Sequence, residues 1–423
     1  MESIPEFLSV VINTIILIVP WFLFFGALHI WLMYRRLKYQ YNDLNPVLLE
    51  IKIPAEIYKS PRAMEIIFSA LYQKNDGTLW EVFWDGKTRP HFSFEIVSIG
   101  GAIHFFIWTP PKFRKMIESN FYSQYPGIEI EEIVAEEDYT RQVSWNPDKL
   151  FMWGTYWKLK ESDPVPIATY NDYKLEDNPK EEEKIDPFSS TIEYLGGLSY
   201  GEQAWIQFVF SANSGENWKS GNHYPFFPKE DHKTRIDEYI KNLKKEATTV
   251  KTSEDGDAAS FITYEPGKTD AIKRLRGLQG KFAFNVFIRG VYISQHETFN
   301  NGNISGLIGT MQQFSHAGAN GFKLGSYSDI SDNKKDVLRT FPLPPLKNYW
   351  ERKRAEMERE FLAAYKRRSG FHPPHRYHGE APPLQLTTEE LATLYHLPGT
   401  VVTTPSLERI GAQKSNAPTN LPL

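Results

Sequence analysis

The feature that most constrains this chain is a long N-terminal run with almost no charge. From Phe7 to Tyr34 no side chain carries a formal charge, apart from the protonated fraction of His29. A helix needs about 20 apolar residues to cross the hydrocarbon core of a bilayer, which is about 30 Å thick. Residues 7–34 are therefore predicted to form a transmembrane helix, with room to tilt and with a kink at Pro20.

The flanks of this run argue against a cleaved signal peptide, which is the main alternative. A signal peptide has a basic start and an apolar core of about 7–15 residues. Here residues 1–6 are acidic, and the basic residues Arg35, Arg36 and Lys38 follow the run. The positive-inside rule predicts a single-pass protein of the cell membrane, with residues 1–6 outside and the main body in the cytoplasm. We expect the three basic residues, in a linker over 35–47, to face anionic headgroups.

Composition excludes several classes of protein. The chain has 423 residues and no cysteine, which excludes a disulfide scaffold and a Cys-ligated zinc or iron–sulfur site. Its formal net charge of -4 excludes a uniformly basic protein that binds phosphate with its whole surface. Aromatic residues make up 14% of the chain, which argues against bulk disorder. The length allows two or three domains.

Residues 48–140 have the pattern of a small α+β unit. Alternating apolar residues predict four strands, and two Ser/Thr-Pro pairs each precede a run of apolar residues at helical spacing. Gly100-Gly101 predicts a hairpin between the second and third strands. The resulting order, β-α-β-β-α-β, is that of the ferredoxin-like unit, in which two helices cover one face of a four-stranded sheet. We expect the opposite face to be free for another domain or subunit.

Residues 148–330 are predicted to repeat this plan, with an insertion at about 212–268. Strands are expected near 150–160 and 165–172, and a charged helix is expected inside the insertion near 232–247. The predicted fold class is therefore α+β: one transmembrane helix, two tandem ferredoxin-like units and a C-terminal helical segment.

The C-terminal region is predicted to contain a charged helix at 347–368 and an extended segment at 369–423 with a short helix at 388–396. The charged helix mixes Arg and Lys with Glu at i,i+3 and i,i+4 spacing. This mixture favours a solvated, salt-bridged face over a nucleic-acid-binding surface, although direct nucleic-acid binding stays open as an alternative.

Nucleotide binding through a P-loop is not expected. A P-loop needs G-x-x-x-x-G-K-[ST], and the chain has two Gly-Lys-Thr triplets, at 86–88 and 267–269. The first glycine of the motif is replaced by Glu81 in one case and by Ile262 in the other. Both triplets are interpreted as surface turns, and no complete catalytic motif is found, so no catalytic or cofactor-binding residue is assigned and no cofactor is expected.

Three histidines are weak candidates for a metal site. His372, His375 and His378 are three residues apart, and three imidazoles suit zinc or nickel. Pro373-Pro374 prevents a helix from placing them on one face, so an ordinary solvated loop is the favoured interpretation.

Several blocks of sequence resemble one kind of protein. They are LEIKIPAEIYKSPRAMEIIFSAL (49–71), FEIVSIGGAIHFFIWTPPKFRKMIESNFYSQYPGIEI (94–130), GEQAWIQ (201–207), LTTEELATLYHLPG (386–399) and NAPTNLP (416–422). The chain resembles the membrane-anchored N-terminal region, a domain of unknown function, of the type IV secretion or conjugative-transfer ATPases of candidate-phyla bacteria. In longer members, the resemblance implies, a HerA-like or TraD-like ATPase domain follows the point that corresponds to 420–422.

This chain ends at Leu423, so none of the nucleotide-binding residues of that family is carried over. We expect either that the motor is a separate polypeptide or that this chain is a truncated or regulatory relative. The leading hypothesis is a non-catalytic membrane-anchored module that docks or positions a DNA-translocating P-loop ATPase. A motor partner would suggest a ring-shaped homo-oligomer. The alternatives are an inner-membrane scaffold of cell-envelope assembly unrelated to DNA, and an enzyme that uses the open sheet face or the histidine loop.

Overall fold

The fold is described from a computed structural model, which covers most but not all of the chain. Most of the predicted insertion at 212–268, and nearly all of the chain after residue 399, lie outside the described residues. The described residues are 3–54, 57–161, 164–176, 186–215, 232–247, 266–316, 318–327, 344–372, 382–399, 407 and 409–410.

The N-terminal helix α1 (Ser3–Lys38) contains the whole uncharged run and extends beyond it at both ends. Within the described residues, the stretch Ile12–Lys38 is long and apolar enough to cross a membrane, with a mean hydropathy of 2.3, and it is not buried in the body. Pro20 lies inside this helix, as expected. That α1 crosses a membrane, and the direction in which it does so, both stay predictions.

The remaining elements alternate helices with strands. The further helices are α2 (Arg62–Ala70), α3 (Arg114–Gln124), α4 (Tyr139–Gln142), α5 (Phe188–Gly196), α6 (His232–Ala247), α7 (Pro266–Leu278), α8 (Asn301–Gln312), α9 (Pro344–Arg367) and α10 (Thr388–Leu394). The strands are β1 (Val47–Pro54), β2 (His91–Ile99), β3 (Ala102–Thr109), β4 (Glu129–Ile133), β5 (Leu150–Leu159), β6 (Glu202–Ala212), β7 (Ala283–Gln295), β8 (Phe322–Tyr327), β9 (Leu384–Thr387) and β10 (Arg409–Ile410).

All of these strands belong to one sheet. Its first half has the order β4-β1-β3-β2 and its second half the order β8-β5-β7-β6, with antiparallel neighbours in both halves. The halves join where β2 pairs with β6, from His91 opposite Ser211 to Ile99 opposite Gln203. The fold is therefore a mixed α/β body built on a largely antiparallel sheet, with the apolar helix α1 at its N-terminus.

The Gly100-Gly101 hairpin forms as predicted. Both glycines have positive φ, +59° and +93°, and they connect β2 to β3 with Ile99 paired to Ala102. A two-residue loop of this kind requires positive φ at both positions, which glycine adopts without a steric penalty.

The two faces of the sheet are covered differently. One face, which we call the helix face, packs against α2, α3, α5, α8 and α10 in a large apolar cluster that includes Phe68, Phe94, Phe210 and Tyr395. The other, which we call the second face, carries a smaller cluster that includes Trp108, Trp205 and Phe287.

The second face was expected to be open, and this expectation is wrong. The C-terminal half of α9 lies on it, and Phe361, Leu362 and Tyr365 are buried there. The contact is close at Gly154, where a Cβ atom would lie 2.5 Å from the Phe361 ring. The apolar stripe of α9 therefore packs onto the sheet of its own chain.

A strand was also expected at 165–172, where the structure has turns. Its only strand-like pairing among the described residues is an isolated bridge between Ile167 and Asn320, and several of its amide groups bond to side chains. Ile167 donates to Glu390 at 3.1 Å, Tyr170 to Thr393 at 3.0 Å and Thr169 to Asp172 at 2.9 Å. Since α10 supplies two of these acceptors, the segment is shaped by residues more than 200 positions away.

Candidate functional site

A network of buried charges joins α9 to the second face. Glu95 lies in β2 and is fully buried. Its carboxylate accepts hydrogen bonds from Ser93 at 2.6 Å, Tyr139 at 2.8 Å and Gln207 at 2.9 Å, and from two nitrogens of Arg368 at 2.8 and 3.1 Å. A buried carboxylate with this many donors is satisfied without water.

Arg368 is shared between two carboxylates. Besides Glu95 it contacts both oxygens of Asp138, at 2.8 and 3.1 Å. Burial alone would raise the pKa of Asp138, but the charge and hydrogen bonds of Arg368 outweigh it and hold that pKa below its usual value. Arg368 thus connects the end of α9 to Glu95 in β2 and to Asp138 at the start of α4.

A second buried arginine completes the attachment. Arg289 of β7 donates to the carbonyl oxygens of Ala364 at 3.0 Å and Ser369 at 2.9 Å, which flank the end of α9. Its guanidinium also lies over the rings of Tyr156 and Phe287, at 5.1 and 5.5 Å. Two arginines thus balance two carboxylates in this cluster, and the arrangement fixes the position of α9.

A cavity of about 690 Å³ lies beside this network, at the end of the sheet where α1 joins the body. Gln40, which follows α1, lines it together with Arg141, Lys366 and Arg367. Lys366 is partly buried, which lowers its pKa, and it donates to the carbonyl oxygen of Val143 at 2.6 Å. The cavity is therefore rich in cations and lies directly next to the start of the body.

The body is fastened to the end of α1 by the segment Thr78–Gly86. Trp84 packs on Trp31 of α1, with ring centroids 5.4 Å apart. Asp85 forms an ion pair with Arg35 at 3.4 Å. Gly86 has a φ of +74° and approaches α1 so closely that a Cβ atom would lie 2.4 Å from the Arg35 carbonyl carbon. The junction between α1 and the body is thus a packed contact and not only a linker.

A second cleft, of about 420 Å³, lies between α7 and the turns at 166–172. Arg274 and Asp172 form an ion pair across it at 3.0 Å. Glu389 accepts from Thr169 and Asn171, both at 2.7 Å. We assign this cleft no ligand.

The structure separates the predicted membrane-surface residues. Arg35 is directed onto Asp85 of the body, Arg36 is half-buried and Lys38 is exposed. Contact of the three with headgroups stays a prediction. The Gly86-Lys87-Thr88 triplet packs against α1, and Lys87 bonds to Glu81 at 2.6 Å. Of the second triplet, residues 267–269 lie in the first turn of α7, while Ile262 lies outside the described residues.

Only one of the three histidine candidates lies within the described residues. His372 is half-buried after α9, and His375 and His378 lie outside the described residues. Within the part of the chain that the structure describes, no group of three or more His, Cys, Asp or Glu side chains is placed to hold a metal ion.

Ion pairs predicted along α9 are present. Lys353 contacts Glu356 and Arg354 contacts Glu358, both at 2.8 Å. Arg368, which was grouped with these exposed cations, is instead buried in the charge network.

The central residues of that network were missed by sequence reasoning. Glu95 and Arg289 each interrupt an otherwise apolar strand, in FSFEIV and VFIRGV. A charge at such a position signals a buried pair, since an unpaired charge in a core is costly. The sequence does not reveal that the partner of Glu95 is Arg368.

No protein-family model matches this chain, and no curated protein matches it.

Proposed function

We propose that this protein is a membrane-anchored, non-enzymatic docking module, in which α1 spans the membrane and the α/β body lies on its cytoplasmic side. The single observation that carries this proposal is the packed junction between Thr78–Gly86 and the end of α1. A packed junction holds the body in a defined position relative to α1, which a positioning module needs and an enzyme that acts in solution does not.

We further propose that the body arose as two tandem ferredoxin-like units. The matching strand orders of the two halves support this interpretation, because each half runs 4-1-3-2 in its own numbering. The halves meet edge to edge through β2 and β6, which leaves β4 and β8 toward the outer edges.

The partner that we propose is a DNA-translocating P-loop ATPase of the HerA-like or TraD-like type. The resemblance of residues 48–422 to the anchors of such motors supports it. The exposed carboxylates of Glu129, Glu131, Glu136 and Glu137, on and after β4, give an acidic edge that a basic surface of a motor subunit would complement.

The test is reconstitution with the candidate motor. The full chain in mild detergent should bind a P-loop ATPase of this type from the same host, and it should show no ATPase activity alone. The double variant Glu129→Lys with Glu136→Lys should weaken that binding at least tenfold. A charge-matched control, Glu193→Lys with Glu297→Lys, changes exposed acidic residues away from β4 and should bind normally.

Failure to bind any such motor would refute the docking proposal, and equal loss in both charge variants would refute the acidic edge as its surface. Stable association with envelope-assembly proteins instead would favour the scaffold alternative. ATP hydrolysis by the isolated chain would contradict the non-enzymatic role.

A further inference from the structure

The segment Thr78–Gly86, which we call the tryptophan segment, exposes three large apolar side chains. Leu79 is 70% exposed, Trp80 66% and Trp84 51%. The rings of Trp80 and Trp84 stack with centroids 5.1 Å apart, so the exposed atoms form one continuous patch. Three such residues within six positions are unusual on a surface that faces only water.

The patch belongs to an ordered turn. The Oε2 atom of Glu81 accepts from the Thr78 amide at 2.7 Å, and its Oε1 atom accepts from Lys87 at 2.6 Å. The Lys87 bond, followed by the Thr78 amide, lowers the pKa of Glu81 to about 2. Since the polar groups of the turn bond to one another, the apolar side chains are what the segment presents outward.

The height of the patch is set by its contact with α1. The uncharged run ends at Tyr34 and is followed by Arg35 and Arg36, which places the cytoplasmic boundary of the hydrocarbon core near Trp31, one helical turn before these charges. Trp84 packs on Trp31 itself. The tryptophan segment therefore lies at the depth where tryptophan is most enriched in membrane proteins, the boundary between acyl chains and headgroups.

We infer that the tryptophan segment is a second membrane contact, which inserts Leu79, Trp80 and Trp84 into the interface of the leaflet that α1 leaves. This inference rests on the proposed membrane span of α1. A second copy of the chain or a partner protein is the competing occupant, since aromatic residues also favour protein interfaces. The bilayer is favoured because the patch is continuous with the lipid-facing surface of α1. Two points of attachment would fix the tilt of the body, which one helix cannot do.

The absence of cysteine allows a direct test, because one introduced cysteine is a unique label site. Leu79→Cys is labelled with an environment-sensitive fluorophore in the full chain, reconstituted in phosphatidylcholine–phosphatidylglycerol vesicles. Two nitroxide-labelled lipids are then compared as quenchers of the fluorescence, one with its nitroxide at the interface and one with its nitroxide deep in the bilayer. The Leu79 label should be quenched by the interfacial nitroxide about twofold or more over the deep one.

Two further single-cysteine variants serve as controls. Leu23→Cys, in the middle of the span, should be quenched most by the deep nitroxide. Tyr200 is 90% exposed and lies beyond the Ile99 end of β2, about 30 Å along the strand from the end that follows the tryptophan segment. Its cysteine variant should not be quenched by either lipid.

The outcomes distinguish failure of the proposed membrane span from failure of the second membrane contact. An unquenched Leu23 label would overturn the membrane span and with it the proposed function. A quenched Leu23 label together with a Leu79 label that behaves like Tyr200 would overturn the second contact alone. A Leu79 label that is shielded but unquenched would also overturn it, because the patch would then be covered by protein. Since Leu79 is exposed, its substitution does not disturb the packing of the body.

Discussion

Both faces of the sheet are covered by helices, but the contacts that hold those helices differ between the two faces. The helix face is closed by apolar side chains alone in most of its area, so its contacts depend on volume and fit. The second face is closed by α4 and α9, and the end of α9 is held by Glu95, Asp138, Arg289 and Arg368. Buried ion pairs of this kind contribute little net stability, but they penalise any other position of the helix. The helix face therefore supplies stability, and the second face supplies a defined location for α9.

The faces also differ in their response to pH. On the helix face, burial raises the pKa of Glu390 to about 7, although it accepts bonds from Thr387 and Ile167. On the second face, Arg368 holds the pKa of Asp138 low despite burial. Rising pH should loosen the first contact, and only strong acid should loosen the second.

The largest expected effect comes from breaking the charge network. Arg368→Met leaves Glu95 and Asp138 buried without their cation, which should cost about 3–5 kcal/mol of unfolding free energy. Hydrogen exchange should accelerate in α9 before it does in β2 or β6. The control is Lys353→Met in the same helix, which removes an exposed pair with Glu356 and should leave the free energy of unfolding nearly unchanged. A similar small loss in both variants would mean that the network does not hold α9.

The second effect is the pH dependence set by Glu390. Its folded pKa of about 7 lies above its ordinary value of 4.5, so the unfolded chain releases the proton first as pH rises. The free energy of unfolding should fall by up to about 3 kcal/mol between these two values and then level off. Glu390→Gln, measured by denaturant titration across this range, should remove that part of the slope. Parallel curves for the variant and the natural chain would contradict the assignment.

A smaller effect is expected where α9 meets β5. Gly154→Ala places a methyl group against the Phe361 ring, and the forced shift should cost about 1–3 kcal/mol. Gly277→Ala in α7 is the matched control, because no atom lies within 4 Å of its added Cβ. That variant should be neutral or stabilised by up to about 1 kcal/mol, as measured by thermal unfolding. Equal behaviour of both variants would show that α9 is not seated at Gly154.

Local sequence signals predicted the elements that depend on nearby residues. The charged helix at 232–247 has the expected bounds, and Thr387 caps α10 with Glu390 in a capping box. The hairpin at Gly100-Gly101 follows from two adjacent residues. In each case the residues that determine the element lie within the element itself or directly beside it.

Long-range contacts explain the failures. The turns at 166–172 bond to α10 side chains that lie far along the chain. The local sequence pattern of this segment therefore predicts a strand that does not form. The second face is covered because Glu95 and Arg289, on different strands, both reach the end of α9. Gly86 was interpreted as part of a surface turn, and its close approach to α1 appears only in three dimensions.

The placement of the C-terminal elements bears on how the protein is made. α10 packs beside α2, β9 extends the sheet along β7, and β10 pairs with β1. The core around the first strands thus stays incomplete until residue 410 has left the ribosome, long after α1 has emerged. If α1 enters the bilayer during synthesis, the body completes its folding at the membrane surface. The sheet of its first half then stays incomplete until β10 pairs with β1.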